Sequence, residues 1–177
     1  MTSTSDTERR LEQLESRLAV SEHLASYAYC LDFGLLDGVA AHFAGDAHLD
    51  VVNFPPGTGD VLAFDGRDAI AAFYSDYVAL PSRVQGGHHV TNVVAEPGEA
   101  GDVEFSAYFF TSNVRVSWAQ GGQYRGVLAR DGAGWHFQRL AVTSWVSAGR
   151  EGVKAPDVLV SDLPPALHPL PVVRHAQ

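Results

Sequence analysis

The apolar pattern of this chain changes character at Pro81, beyond which no helical spacing recurs before Trp145, and that change limits the folds open to it. Before Pro81, apolar residues recur mostly at helical spacing. After it, and as far as Trp145, β-branched and aromatic runs are joined by glycine-containing turns. Helices grouped ahead of a run of strands predict an α+β domain, because a parallel α/β sheet requires strands and helices to alternate throughout.

Ser5-Asp-Thr-Glu8 has the form of a helix-capping box, and Leu11, Leu14, Leu18, Leu24, Ala28 and Leu31 follow at helical spacing. The spacing predicts a long helix over 7–32, ended by Phe33-Gly34, and a short second helix over 35–44. Residues 47–54 read as a strand, turned through Pro55-Pro-Gly-Thr-Gly-Asp60 into a short strand over 61–64. Ile70, Phe73, Tyr74 and Tyr77 then mark a third helix, ending near Leu80-Pro81. The strands expected beyond are 88–96, 103–118, 124–130 and 135–145, with turns at 97–102, 119–122 and 131–134, which is an antiparallel meander. The 103–118 run is too long for a flat strand and is expected to bend, wrapping a highly curved sheet around three N-terminal helices as a cone with a mouth. On this reading residues 1–6 are a disordered N-terminus and 7–148 are the domain. Residues 149–177, with five of the nine prolines, are a tail that is loose or covers the pocket or a neighbouring subunit.

With 177 residues the chain has the size of one domain. A formal charge of −9 opposes binding to phosphate backbones and anionic lipids, so neither nucleic acid nor a membrane is an expected partner. No apolar run approaches the ~20 residues that span a bilayer, and the polar start does not resemble a secretory signal. Cys30 is the lone cysteine, which excludes an internal disulfide and fits a reducing compartment. A cytoplasmic protein is expected.

Polar groups inside otherwise apolar segments carry the chemical signal, because burying them unpaired costs several kcal/mol. They include Tyr27, Tyr29, Asp32, His88, His89, Asn92, Asn113, Tyr124 and Arg130. Strand alternation lets only one of His88 and His89 face a pocket. Asp32 lies where the helix dipole disfavours an unpaired carboxylate, so it either finds a partner or caps the amides near Leu35. An Asp that orients a His makes a general base. No metal is expected, since there is no His-Glu-x-x-His and no cysteine cluster. The glycine pairs do not lead from strand to helix as a phosphate loop does, and no serine stands in a Gly-x-Ser-x-Gly setting.

Several segments together resemble SnoaL-like domains of the nuclear transport factor 2-like superfamily. They are Tyr27-Ala-Tyr-Cys-Leu-Asp32-Phe-Gly, His42-Phe-Ala-Gly-Asp46, Phe64-Asp-Gly-Arg-Asp-Ala-Ile70, Gly87-His-His-Val-Thr-Asn92, Gly122-Gln-Tyr124 and Arg130-Asp-Gly-Ala-Gly-Trp135. The resemblance spans 8–145 and implies the NTF2-like cone. Within the superfamily, scytalone dehydratase, hexachlorocyclohexane dehydrochlorinase and bile-acid dehydratase are similar at the chemical positions, which implies that Asp32 orients His88 as the base of an elimination. The bile-acid dehydratase pattern places a tyrosine at Tyr27, whereas on a straight helix Tyr29 lies nearer Asp32, ~60° away against ~140°. Both stay open. Arg130 matches a leaving-group arginine loosely, and Asn113 stands where scytalone dehydratase has a second histidine. Tyr29, His89, Asn113, Trp118, Tyr124 and Arg130 form the expected substrate-binding set.

The function expected is a cofactor-independent lyase or isomerase: a dehydratase, double-bond isomerase or cyclase. Its substrate would be a hydrophobic oxygenated ring metabolite of polyketide or steroid-like type. The alternative is a non-catalytic small-molecule-binding or accessory subunit. A homodimer or homotrimer is expected, with Phe109, Trp118 and Trp145 as candidates for the covered face.

Overall fold

The computed structural model describes residues 4–54, 58–79, 87–98, 101–113, 118–132 and 134–148. Helix α1 spans Thr4–Phe33, so residues 4–6, read from sequence as part of a disordered N-terminus, belong to its first turn. An ion pair between Asp6 and Arg9 at 2.6 Å and the favourable position of an acid at a helix start account for the earlier beginning. Val20, Leu24, Tyr27 and Leu31 form the buried stripe. The helix stops at Gly34, whose φ of 67° is left-handed. There the Leu35 N–H donates to the Cys30 carbonyl at 2.8 Å and the Gly34 N–H to that of Leu31 at 3.2 Å, a Schellman ending that sets the direction of the last turn.

Helix α2 (Leu36–Ala41) is shorter than the spacing predicted, because strand β1 (Phe43–Val52) already begins at Phe43. Phe43 is fully buried and packs on Phe137 with ring centroids 5.3 Å apart, a burial that outweighs the local helical preference. Strand β2 (Val61–Asp65) returns antiparallel on β1 as expected; residues 55–57 of the intervening turn lie outside the described residues. Helix α3 (Arg67–Ala79) buries Ile70 and Tyr74. Its predicted end at Leu80-Pro81 also lies outside them.

Strands β3 (His88–Pro97), β4 (Val103–Asn113), β5 (Trp118–Asp131) and β6 (Gly134–Ala148) complete a six-stranded curved sheet ordered β2-β1-β6-β5-β4-β3. Every neighbouring pair is antiparallel except β1 with β6, so the α+β cone has a mixed sheet. Two expectations need correction. The 103–118 run is not one bent strand: β4 ends at Asn113, which pairs with Trp118 as the first step of an antiparallel ladder. Residues 119–122 are not a turn but the start of β5. Gly122 lies opposite Phe109 and Gly126 opposite Phe105. A Cβ at either glycine would meet that ring and a backbone carbonyl of β6. Glycine here admits a ring over the strand and does not reverse the chain. Curvature comes instead from register shifts at Thr91/Val94, Gly121/Gly122 and Val127/Leu128.

The core fills the concave side, where Leu49, Leu128, Phe137 and Leu140 are fully buried. Phe109 belongs to it too, so it is not part of a subunit-facing surface, whereas Trp145 is half exposed. The Trp118 side chain and the tail over 149–177 lie outside the described residues. Among those described, no helix is long and apolar enough to cross a membrane.

Candidate active site

A cavity of about 50 Å³ opens between the helices and the concave face of the sheet. Leu31 of α1 and Val51 and Phe54 from β1 and its end form one wall, Phe73, Tyr74 and Tyr77 of α3 a second, and Phe109, Tyr124 and Val142 the sheet. Phe109 and Tyr124 stack at 4.6 Å, giving a flat aromatic floor. Such a lining suits an apolar ring system and leaves orientation to a few polar groups.

The first of these is His88, at the start of β3 and inside the cavity wall. The ring Nδ1–H donates to Asp32 Oδ1 at 2.5 Å, and the backbone N–H of the same residue donates to Asp32 Oδ2 at 2.8 Å. Asp32 therefore does not cap α2, which has no side-chain cap. Burial works to raise the Asp32 pKa, but the hydrogen bonds from the His88 ring and backbone outweigh it and hold the carboxyl below its ordinary value. An ionised Asp32 fixes the proton on Nδ1 and leaves Nε2 with its lone pair, the arrangement of a general base.

Tyr27 and Tyr74 form the second polar group, their hydroxyls hydrogen-bonded to each other at the bottom of the cavity. Burial pushes both well above the ordinary phenol value, and nearby Tyr124 is raised in the same way. One hydroxyl proton satisfies the pair, and the second remains available to an oxygen in the cavity.

A third polar group runs across the sheet. Thr111 pairs with His88 on one side and with Gln120 on the other, so the three side chains share the concave face. Gln120 Nε2 donates to Ser144 Oγ at 2.6 Å, and both residues line the cavity. Ser144 is held from behind by Asn53, whose Nδ2 donates to the Ser144 carbonyl at 2.6 Å from a left-handed backbone (φ 58°). Among the described residues the Thr111 hydroxyl is buried without a partner, and a buried orphan of this kind asks for an explanation. Among the described residues no three His, Cys, Asp or Glu side chains converge as metal donors.

The model of the SnoaL-like domain matches residues 12–141. The chain belongs to the SnoaL-like domain family. Solved structures repeat the fold. An NTF2-like protein with a cystatin-like fold from Novosphingobium aromaticivorans is 19% identical over 88% of this chain and 95% of its own, with a TM-score of 0.65. A protein from the same organism named for scytalone dehydratase is 17% identical over 80% and 92%, with a TM-score of 0.64. ActVI-ORFA from Streptomyces coelicolor is 20% identical over 72% and 95%, with a TM-score of 0.58. At these identities the likeness is one of fold. Among curated proteins none matches the chain.

In this SnoaL-like domain the residues singled out from sequence divide into two groups. Tyr27, His88 and Tyr124 line the cavity, and Asp32 reaches it through its hydrogen bond with His88. Tyr29 does not: it is 57% exposed and packs on Phe33, because the buried stripe of α1 passes through Tyr27. Strand alternation turns His89 outward when His88 faces in. Arg130 is exposed at the far end of β5, its guanidinium over the Trp135 ring at 5.8 Å, so it is not a cavity residue. The side chains of Asn113 and Trp118 lie outside the described residues. Sequence reasoning missed Tyr74, Thr111, Gln120 and Ser144. The available signal was a hydroxyl or amide at an inward position of an otherwise apolar stripe.

Proposed function

We propose that this SnoaL-like domain is a lyase or isomerase acting on a hydrophobic, oxygenated ring metabolite of polyketide or steroid-like type. The observation that carries the reading is the double hold of Asp32 on His88 at the wall of an apolar cavity. The substrate ring lies on the Phe109–Tyr124 floor, with a carbonyl oxygen at the Tyr27–Tyr74 hydroxyl pair. His88 Nε2 removes a proton from the carbon beside that carbonyl, and the electron pair moves onto the oxygen, where a phenol hydrogen bond stabilises the enolate. Return of the proton at another carbon shifts a double bond. Loss of a β-hydroxyl, which takes the His88 proton and leaves as water, is a dehydration. Ser144 and Gln120 hold a second substrate oxygen. Asp32 acts by fixing the imidazole tautomer and stabilising the imidazolium.

The test is deuterium exchange into a panel of hydroxylated cyclic ketones by wild type, His88→Ala and Asp32→Asn. Exchange beside the carbonyl that both substitutions abolish in folded protein supports the reading. Tight binding without exchange replaces it with a non-catalytic binding subunit, and exchange unchanged in the variants removes Asp32 and His88 from the chemistry.

A further inference from the structure

The outward face of α1 carries a line of apolar side chains that no described residue covers. Leu11, Leu14, Leu18 and Tyr29 are each 57–61% exposed, and exposed Ala25 continues the line. At ~100° per residue these five fall within an arc of about 60°, on the side of the helix away from buried Val20, Leu24, Tyr27 and Leu31. Leu11, Leu14, Leu18 and Ala25 stand at a, d, a and a of a heptad repeat, the spacing by which two helices close on a shared seam. Ser21 at the remaining d position is small and adds no bulk.

The flanks of this line are opposite in charge. Glu8, Glu15 and Glu22 border one side, and Arg10 and Arg17 the other. No ion pair within the described residues engages Arg10, Arg17, Glu15 or Glu22. In a parallel pair of such helices the basic flank of one meets the acidic flank of the other: Arg10 faces Glu15 of the second copy and Arg17 faces its Glu22, each five positions on, and the reverse pairs repeat across the two-fold axis. In an antiparallel pair like flanks would meet, Arg against Arg and Glu against Glu, which is repulsive.

The geometry points to a second copy of this chain as the occupant of that face, docked as a parallel, in-register α1–α1 pair with the two cavities facing outward on opposite sides. The interface is self-complementary in shape and in charge, and it needs no residue of the cavity. It is therefore independent of the proposed chemistry.

Sedimentation of the full chain reads this out directly. The expected result is a dimer that Leu14→Glu or Leu18→Glu converts to a folded monomer. Arg10→Glu with Arg17→Glu is expected to weaken it at least tenfold, and adding Glu15→Arg with Glu22→Arg restores it. Leu11→Cys and Leu18→Cys, made singly in a Cys30→Ala background, are each expected to form a disulfide with their own copy. An antiparallel pair can bring at most one of these positions against itself. A monomeric wild type, an oligomer indifferent to the leucine substitutions, or failure of the charge swap to restore pairing overturns the proposal. An indifferent oligomer would direct attention to the outer sheet face around Tyr108 and Trp145.

Discussion

Asp32 grips His88 with both carboxylate oxygens, one on the ring and one on the backbone. An amide at position 32 can accept from only one of these donors, and its NH2 group turned to Nδ1 would force the ring proton onto Nε2. Asp32→Asn is therefore expected to cut kcat by about 10²–10⁴ with a much smaller effect on KM. Because the native carboxyl ionises below its ordinary value near 3.8, Asp32 contributes stability that is present above that value and is lost as pH falls through the lower folded-state value. Acid unfolding of wild type and Asp32→Asn, compared below pH 4, checks the sign: the difference between them narrows as acid is added.

Tyr27→Phe is expected to leave the Tyr74 hydroxyl buried without its partner, at a cost of about 1–3 kcal/mol. The double variant Tyr27→Phe, Tyr74→Phe removes both groups and should lose less than the sum of the two singles. Urea unfolding of the four proteins closes the cycle. In the intact protein the phenolate absorbance of Tyr27, Tyr74 and Tyr124 should appear only as alkali unfolds the chain, since burial holds all three above the usual range.

Gly122→Ala brings a methyl group into the Phe109 ring and the Thr143 carbonyl. A loss of about 1–3 kcal/mol is expected, together with weaker ligand binding, because the displaced ring is the cavity floor. Gly45→Ala, where an added Cβ meets nothing within 4 Å, is the control and should leave Tm nearly unchanged.

His23 reports on the closed end of the cone. Its Nε2–H donates to the His42 carbonyl at 3.0 Å, and its ring packs edge-on against Phe137. Burial, helped by the neighbouring His42 and His136, pushes its pKa down to about 4. A depressed histidine disfavours protonation in the fold. Its contribution is thus complete above the unfolded value near 6.5 and disappears as pH falls from there to about 4, to a total of about 3 kcal/mol. Thermal unfolding between pH 7 and 4 should show Tm falling in wild type and falling less in His23→Gln, which keeps the hydrogen bond and cannot titrate.

The sequence carried α1, α3 and the class of the fold because helical spacing is a local signal, although Leu11, Leu14 and Leu18, read in one run with Leu24 and Leu31, face away from the core. Asp32 and His88 were legible as polar groups that needed explaining, and the resemblance joined them across 56 residues. The β4–β5 boundary was hidden because the 103–118 run is strand-forming almost throughout, so composition gives no reason to stop at Asn113. Gly121-Gly122 misled in the opposite direction, since a glycine that reverses a chain and one that admits a neighbouring ring look the same until the register is known. Tyr29 was favoured by its angle to Asp32. The angle ignored depth: Tyr27 lies five residues, about 7.5 Å, further into the cone than Asp32 and serves a different end of the cavity. Ser144 depended on a register shift beside Trp145, which no single-sequence pattern predicts.

The parallel pairing of β1 with β6 joins the first strand of the chain to the last, and Asn53 reaches Ser144 across 91 residues. During synthesis the N-terminal helices and the β1–β2 hairpin can form as they emerge, but their apolar inner surfaces stay uncovered until β6 arrives. The cavity thus comes into being in the same step that closes the sheet. A molecule that fills it binds only the finished chain and so stabilises the protein as a whole, by an amount that grows with its concentration over Kd. The supply of any such molecule would then be a determinant of how much of the protein survives.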